Sequence, residues 1–327
     1  MNIGFIGLGC YAQTHLSAIE QDAGFTLVRI YDVNAATLAG TCKRFNCRPA
    51  SSIEELASDK RVEAVIISTP NQLHFEHFKI CAEAGKHVLM NIPATTDPAE
   101  AEEIIRLARE KNIVFMPGHN TRRNPAVIAM KKALASESIG NPHLIGSMVS
   151  CPRGYNLNPE EWRYSKEKAP LLPFTQMGIV FIDMIMFFWG IPETVAAMMT
   201  KRDSLGEAPD SGMVICRFKD GKLAHVGCSY VCSDNYFITA FGRQGNITWD
   251  YRDNNSLIIK TRLKSSREIF VPVKEQHAEL IELSDCIKNH KKPTVNAVDA
   301  YNLAEFYRCI TESVGTGKEI EFREFRE

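Results

Sequence analysis

The feature that most constrains the fold is the alternation of apolar runs with amphipathic segments over the first 120 residues. Runs such as NIGFIG, FTLVRIYD, VEAVIISTP and HVLMN are each followed by a segment with helical spacing. Strands that alternate with helices in this way form a parallel sheet with right-handed crossovers. We therefore predict an α/β, doubly wound domain over residues 1–122, with its ligand site beyond the carboxyl ends of the strands.

After about residue 123 the pattern changes, because strand-like runs now follow one another closely. The segment SGMVICRFKDGKLAHVGCSY contains two such runs joined at Asp220-Gly221, which is a strong signal for a β-hairpin. Further strand-like runs follow, and two helical segments lie near the C-terminus. We predict an α+β domain over residues 123–327, whose open, mainly antiparallel sheet has one face for helices and one for a partner or ligand.

Composition excludes several classes of protein. A chain of 327 residues with a formal charge of −1 has no basic excess, so nucleic acid is not an expected partner. The longest apolar run, IVFIDMIMFFWGI, is too short to span a membrane, and the N-terminus lacks the basic region of a signal peptide. The ten cysteines form no C-x-x-C pair, which favours reduced thiols over disulfides or a metal site. We expect a cytoplasmic protein that binds a small-molecule substrate.

The clearest chemical signal is GFIGLGCYAQTH, which lies between the first predicted strand and the first predicted helix. Gly7, Gly9 and Ala12 form a G-x-G-x-x-A pattern: the first permits a tight turn, the second a close approach to a pyrophosphate, and the third close helix packing. Cys10 and Tyr11 complete the loop, where the helix N-terminus favours negative charge. We predict dinucleotide binding here; a glycine turn of purely structural use is the alternative.

Asp32 ends the second predicted strand and is placed to accept hydrogen bonds from an adenosine ribose. A carboxylate at this position repels the 2′-phosphate of NADP, so NAD is the favoured cofactor and NADP remains possible. Asp32 is also a candidate N-cap of the next helix, although Asn34 would cap that helix equally well.

Several short segments, in order and over essentially the whole chain, resemble the Gfo/Idh/MocA oxidoreductases. They are GFIGLG, STPNQLH, AGKHVL, the proline of NIPATT, SIGNPHLI, EWR and IKNHKKPTVNAVDA. The resemblance implies an N-terminal Rossmann domain and NAD(P)-linked chemistry at a sugar or cyclitol hydroxyl. It also implies a C-terminal open sheet, through which homo-oligomers, dimers or tetramers, form. By the same resemblance the cofactor cleft contains Thr69, Pro70, Asn71, His74, Asn91 and Pro93; for His74, packing within the structure is the alternative.

The chain departs from the family pattern where protons are handled. The usual Glu-Lys-Pro falls on Asn91-Ile92-Pro93, and the usual Asp-x-Gly-x-His-x-x-Asp falls on QMGIVFID. Gln176 and Val180 thus replace the first acid and the histidine, whereas Asp183 matches. Ile92, Gln176 and Val180, which stand at the three proton-handling positions, do not titrate. The resemblance therefore implies a substrate side formed by Ile92, Gln176, Val180 and Asp183. Ile92 and Val180, with Phe174 and the pair Leu171-Leu172, make this side less polar than a sugar usually requires.

Replacement acids must come from elsewhere around the cleft. His119 follows the sixth predicted strand, and the segment RGYNLNPEEWRYSKEK supplies Tyr164 and Lys166 as further catalytic candidates and Arg163 as a substrate contact. For His119, the alternative is an ordinary histidine in a turn. For the segment, the alternative is a solvated charged loop.

Three functions are compatible with these residues. The first is a hydride-transfer enzyme that reduces an imine or conjugated acceptor, or acts on an unusual carbohydrate-like substrate. The second is a catalytically silent dinucleotide-binding sensor or partner subunit. The third is a protein in which bound NAD serves a reaction without net redox change.

Overall fold

The computed structural model describes residues 1–136 and 138–326, so Glu137 and Glu327, the last residue of the predicted second domain, lie outside the described residues. The chain divides into two compact units. The first contains residues 1–120 and 274–304, and the second contains residues 121–273 and those from 305 onward. The sequence had assigned 274–304 to the second domain, whereas the structure packs this segment with the first unit.

The first unit is built on a parallel sheet with the strand order β3-β2-β1-β4-β5-β6. Its strands are β1 (Asn2–Ile6), β2 (Thr26–Tyr31), β3 (Arg48–Pro49), β4 (Ala64–Ile67), β5 (His87–Met90) and β6 (Phe115–Pro117). The helices between them are α1 (Ala12–Glu20), α2 (Ala35–Phe45), α3 (Ile53–Ser58), α4 (His74–Glu83) and α5 (Pro98–Glu110). This is the predicted doubly wound fold.

Two helices, α8 (Glu275–Asn289) and α9 (Ala297–Thr316), lie late in the chain. Leu280 and Leu283 of α8 are fully buried in the same apolar cluster as Phe5 and Leu16 of the first unit. The helix therefore completes the cover of one face of the parallel sheet, which is a large gain in buried apolar surface. An apolar stripe identifies such a helix in a sequence but not the sheet that it covers.

The second unit contains a mixed sheet with the order β14-β13-β12-β11-β7-β10-β9-β8-β15. Its strands are β7 (Pro142–Ser150), β8 (Thr194–Thr200), β9 (Ser211–Arg217), β10 (Leu223–Ser229), β11 (Asn235–Gly242), β12 (Gly245–Asp250), β13 (Ser256–Thr261), β14 (Ser265–Ile269) and β15 (Ile320–Glu321). Strands β7 and β10 pair in parallel and the other neighbours pair antiparallel, including the predicted hairpin β9–β10. Helices α6 (Pro125–Ala135) and α7 (Ile179–Trp189) belong to this unit.

One face of this sheet is exposed and apolar. In β9, buried and exposed residues alternate strictly, as expected for a strand with one covered face. The exposed residues on this side, which we call the exposed sheet face, are Leu144, Met198, Met213, Ile215 and Phe241.

The described part of the chain has neither a membrane-spanning helix nor a cluster of metal ligands. None of its helices is both long enough and apolar enough to cross a membrane. Among the same residues, no three His, Cys, Asp or Glu side chains are grouped so that they would hold a metal ion.

Candidate functional site

The loop after β1 is held against the end of β4 by a glycine contact. Gly7 has a φ of +83°, and a Cβ built on it would lie 2.8 Å from the carbonyl carbon and oxygen of Ser68. A side chain at this position is excluded by both the backbone conformation and the contact. Gly9, two residues on, has open space where its Cβ would be. The first glycine is therefore required by the fold, whereas the second leaves room for a ligand such as a pyrophosphate.

Asp32 lies just after β2, at the same edge of the sheet. Its Oδ2 accepts a hydrogen bond from the Leu8 N–H at 2.6 Å, and its Oδ1 accepts one from the Asn34 N–H at 2.7 Å. The N-cap of α2 is Asn34, whose side chain accepts from the Thr37 N–H. Asp32 is thus not the cap, and each carboxylate oxygen keeps a lone pair for a ribose hydroxyl.

Strand β4 pairs with β1 on the side opposite β2. The loop after β4 contains Thr69, Pro70 and Asn71, which are partly buried. Asn91 follows β5, and its Nδ2 donates to the Ser68 Oγ at 2.5 Å. The Asn91 Oδ1 is buried and has no hydrogen-bond partner within the described residues. Because an unpaired buried acceptor is costly, this atom fits a site that receives a donor from a bound ligand.

His74 joins the loops that follow β4 and β5. Its side chain is only 1% exposed; its Nδ1 lies 2.7 Å from the Pro93 carbonyl oxygen, and its Nε2 lies 2.8 Å from that of Thr69. Burial lowers the pKa of His74 to about 4, although both carbonyl contacts oppose that shift. The neutral ring has one N–H, so it donates to one of these carbonyls while its other nitrogen faces the second. His74 is thus packed as a clamp between two predicted cofactor loops.

The residues predicted to handle protons or contact substrate in the first unit lie at the same edge. Ile92 is partly buried between Asn91 and the buried Pro93. His119 follows β6 and is 3% exposed, and the preceding Gly118 N–H donates to the Met90 carbonyl oxygen at 2.8 Å. The end of β6 thus lies directly beside the end of β5.

Tyr164 and Lys166 belong to the second unit and have different surroundings. Tyr164 ends a short 3₁₀ helix, Trp162–Tyr164, and packs against an apolar cluster that includes Leu172 and Tyr230. The Lys166 side chain is exposed. The structure therefore places one of these two candidates in a packed environment and the other in solvent.

Arg163, in the same short helix, contacts one of the residues that replace the family motif. Its Nε donates to the Gln176 Oε1 at 2.8 Å, and its guanidinium lies 4.4 Å from the centre of the Trp162 ring. Gln176 lies in a π-helical turn, Phe174–Gly178, that leads into α7. Val180 lies in the first turn of α7 and is partly buried. Two of the predicted substrate residues, Arg163 and Gln176, are thus brought together.

Asp183, also on α7, has the polar partner that its burial requires. Arg122 binds it through two contacts, Nε to Oδ2 at 2.9 Å and Nη2 to Oδ1 at 2.5 Å. Both side chains are less than a tenth exposed, and two-pronged pairs of this kind are the strong ones. The sequence indicates that a buried Asp183 needs a partner, but it does not distinguish Arg122 from the adjacent Arg123.

The two glycines allow the cofactor site to be tested separately from the fold. We expect Gly9→Ala to leave the melting temperature unchanged and to weaken NAD binding about tenfold or more, because the added methyl group occupies open space needed by the pyrophosphate. Gly7→Ala serves as the comparison and lowers the melting temperature, since its φ is positive and its Cβ meets Ser68. Calorimetric titration with NAD that shows wild-type affinity for Gly9→Ala would refute this placement.

The His74 clamp predicts a specific loss of stability in acid. With the pKa of His74 at about 4 in the folded chain and about 6.5 when unfolded, the unfolded chain binds more protons between these values. The free energy of unfolding therefore falls as the pH drops through that window. Urea unfolding across the window should show a weaker pH dependence in His74→Gln than in the wild type and in the exposed control His143→Gln. Equal pH dependence in all three proteins would contradict the prediction.

Comparisons with known proteins agree with this geometry. Residues 1–119 match the oxidoreductase family with an NAD-binding Rossmann fold, and residues 127–248 match the GFO/IDH/MocA C-terminal domain. The chain is 39% identical over 283 residues to the 1,5-anhydro-D-fructose reductase of Ensifer adhaerens, with 84% of each chain covered. It is 26% identical over 313 residues to the myo-inositol 2-dehydrogenase of Thermotoga maritima, covering 91% of this chain and 92% of that protein.

Solved structures show the same fold. A protein from Desulfitobacterium hafniense assigned as an NADPH-dependent oxidoreductase superposes with a TM-score of 0.92 and 26% identity, over 98% of this chain and 97% of that one. Levoglucosan dehydrogenase in complex with NADH superposes with a TM-score of 0.89 and 20% identity, over 99% of this chain and all of the other. The first unit is thus an NAD-binding Rossmann domain, and the chain belongs to the Gfo/Idh/MocA family of NAD(P)-dependent oxidoreductases.

Proposed function

We propose that the protein is an NAD(P)H-dependent reductase of a C=O or C=N acceptor, including a conjugated one, on a carbohydrate-like substrate. The observation that carries this proposal is the set of side chains at positions 92, 176 and 180. Ile92, Gln176 and Val180 neither accept nor release a proton near neutral pH. Alcohol oxidation requires a base for the hydroxyl proton, and such a base contributes about 10²- to 10⁴-fold in rate. Reduction of a polarised acceptor needs a proton donor instead.

The cofactor side of the proposal rests on residues at the carboxyl edge of the first sheet. Gly7, Gly9, Cys10, Tyr11 and Ala12 form the pyrophosphate loop. We assign the adenosine ribose to Asp32 and the remaining contacts to Thr69, Pro70, Asn71, Asn91 and Pro93. His74 acts through the loops that it clamps. NAD is favoured over NADP because the Asp32 carboxylate repels a 2′-phosphate.

For the substrate we propose contacts from Ile92 and, in the second unit, from Arg163, Gln176, Val180 and Asp183. Arg163 carries N–H donors suited to ligand oxygens and is oriented by Gln176. Asp183 acts through its pair with Arg122. The relative with 39% identity is a reductase of 1,5-anhydro-D-fructose, a ligand of the proposed class, which supports the direction of the reaction.

The candidates proposed from the sequence for proton transfer, His119, Tyr164 and Lys166, have unequal structural support. His119 lies at the cofactor edge but is almost completely buried. Tyr164 packs in an apolar cluster, and the Lys166 side chain is exposed.

A second candidate function is a silent dinucleotide-binding subunit. The same non-titrating side chains at positions 92, 176 and 180 favour it. Measured turnover distinguishes the two functions, because only the reductase consumes NADH.

We expect consumption of NADH with at least one acceptor among 1,5-anhydro-D-fructose, a cyclic imine and an enone, each assayed with NADH and NADPH. With NAD or NADP and myo-inositol, levoglucosan or D-glucose, turnover should stay below about 1 s⁻¹, the lower end of ordinary enzyme rates. Rates at or above that value for any of these alcohols contradict the proposal.

Silence in both directions, with tight cofactor binding and a stable complex with a catalytically complete relative, would instead identify the silent subunit. Gly9→Ala is the control in each assay, since its weaker cofactor binding should lower any cofactor-dependent signal at low cofactor concentration without a change in the surrounding fold.

We also propose that the chain forms homo-oligomers, dimers or tetramers, through the exposed sheet face. Met198, Met213 and Ile215 are 81%, 54% and 52% exposed on adjacent strands, an apolar patch of a kind that monomers rarely present. Sedimentation should show a smaller species for Met213→Glu than for the wild type. Leu263→Glu, at an isolated residue that is 97% exposed, is the matched control. A monomeric wild-type protein would contradict this proposal.

A further inference from the structure

A group of buried polar side chains in the first unit has no role in the proposed function so far. His15 on α1 and Glu279 on α8 are both fully buried, Asn120 is 6% exposed, and Glu275, which begins α8, is 8% exposed. Burial of carboxylates and an imidazole is costly unless they are paired and hydrogen-bonded. Apolar side chains would hold α8 against α1 without this cost. The presence of polar groups here therefore indicates a role other than helix packing.

The buried groups converge on one half-exposed side chain, Tyr11. The Tyr11 hydroxyl lies 3.4 Å from the Asn120 Oδ1, and the Asn120 Nδ2 donates to the Glu275 Oε2 at 2.8 Å. The Tyr11 ring also meets His15 edge-on, with 6.1 Å between ring centres, and the His15 Nε2 lies 3.2 Å from the Glu279 Oε2. Tyr11, 46% exposed, is thus the outer end of a buried polar chain through Asn120 to Glu275, and its ring packs against the buried His15–Glu279 pair.

The strand order locates Tyr11 along the cofactor. Asp32, after β2, marks the adenosine half, so the nicotinamide half lies over β4, β5 and β6. Tyr11 follows β1 in the pyrophosphate loop, and its hydroxyl reaches Asn120, which follows β6. The phenol therefore extends from the pyrophosphate position toward the nicotinamide half, where the family lysine is replaced by Ile92.

We propose that the Tyr11 hydroxyl is the proton donor of this protein, an inference that rests on the proposed reductase function. In this step Tyr11 gives its proton to the oxygen or nitrogen of the acceptor, and reduced nicotinamide, when bound, would supply two electrons as hydride to the attached carbon. The π bond of the C=O or C=N group breaks, a C–H bond and an O–H or N–H bond form, and oxidised nicotinamide and tyrosinate remain. The exposed tyrosinate then takes a proton from water.

The buried network suits a donor better than a base. The Glu275 carboxylate polarises the Asn120 amide, which makes the Asn120 Oδ1 a stronger acceptor and holds the Tyr11 proton. Two carboxylates reach Tyr11 through these neighbours: Glu275 on α8 through Asn120, and Glu279 on α8 through His15. Glu275 is accordingly a positioning residue, which orients the Asn120 amide and, through it, the Tyr11 hydroxyl.

The position of the Tyr11 hydroxyl near the nicotinamide ring is tested by alkaline titration of the holoprotein, followed by the ultraviolet absorbance of tyrosinate. With oxidised NAD bound, the positive nicotinamide ring should shift tyrosinate formation to lower pH than with NADH bound, and Tyr11→Phe should abolish that difference. Tyr155→Phe is the matched control, because Tyr155 is 47% exposed and donates to the Val231 carbonyl in the second unit. No difference in the wild type, or a difference that persists in Tyr11→Phe, overturns the proposal.

The chemistry is tested with the acceptor that the wild type reduces. Tyr11→Phe should lower kcat about 10²-fold or more with the affinity for NADH nearly unchanged, whereas Tyr155→Phe and wild type should agree. Glu275→Gln should shift the pH profile of kcat, a result that a merely structural contact would not produce. A kcat for Tyr11→Phe within about threefold of wild type overturns the proposal. Absence of any turnover in the wild type refutes the reductase function instead, and the tyrosinate titration then decides the placement of Tyr11 alone.

Discussion

The contact between Gly7 and the backbone of Ser68 is the constraint on which the candidate site depends. It brings the loop after β1 against the end of β4, at the point where the strand order reverses. His74 extends the same arrangement by holding the Thr69 and Pro93 carbonyls. Three chain segments are thereby aligned along one sheet edge. Gly9 has open space beside it, and the buried Asn91 Oδ1 has no hydrogen-bond partner among the described residues. A preorganised edge of this kind binds a cofactor without the cost of ordering loops.

The chemistry of the candidate site depends on which of its side chains are ionisable and which are not. Positions 92, 176 and 180 carry side chains that do not titrate, while Asp183 keeps its charge in a buried pair with Arg122. The first unit buries Glu275 and Glu279 beside α1, close to the pyrophosphate loop. A structural helix contact alone does not need these carboxylates, because apolar residues of similar volume are often as stabilising. Their presence is the physical reason for assigning proton transfer to Tyr11.

Much of the architecture was predictable because it depends on local patterns. The central strands β1 and β4 of the first sheet lie in apolar runs, and the Asp220-Gly221 turn places Gly221 at φ +82° between β9 and β10. The pairing of Arg122 with Asp183, the Asn120–Glu275 bond and the return of α8 to the first unit were not predictable. Each joins residues far apart in the chain, and a helical stripe or a lone buried acid is compatible with many partners.

The sequence alone determined the family, the parallel and mixed sheets, the glycine loop and the loss of titrating groups at positions 92, 176 and 180, because these are properties of residue type and spacing. Tertiary structure decided which atoms meet. It showed that Asn34 rather than Asp32 caps α2, that both nitrogens of His74 face backbone carbonyls, and that Tyr11 ends a buried polar chain. Such contacts depend on the relative positions of elements to within about an ångström, since hydrogen bonds weaken steeply beyond their normal length. Residue spacing along the chain does not contain that information.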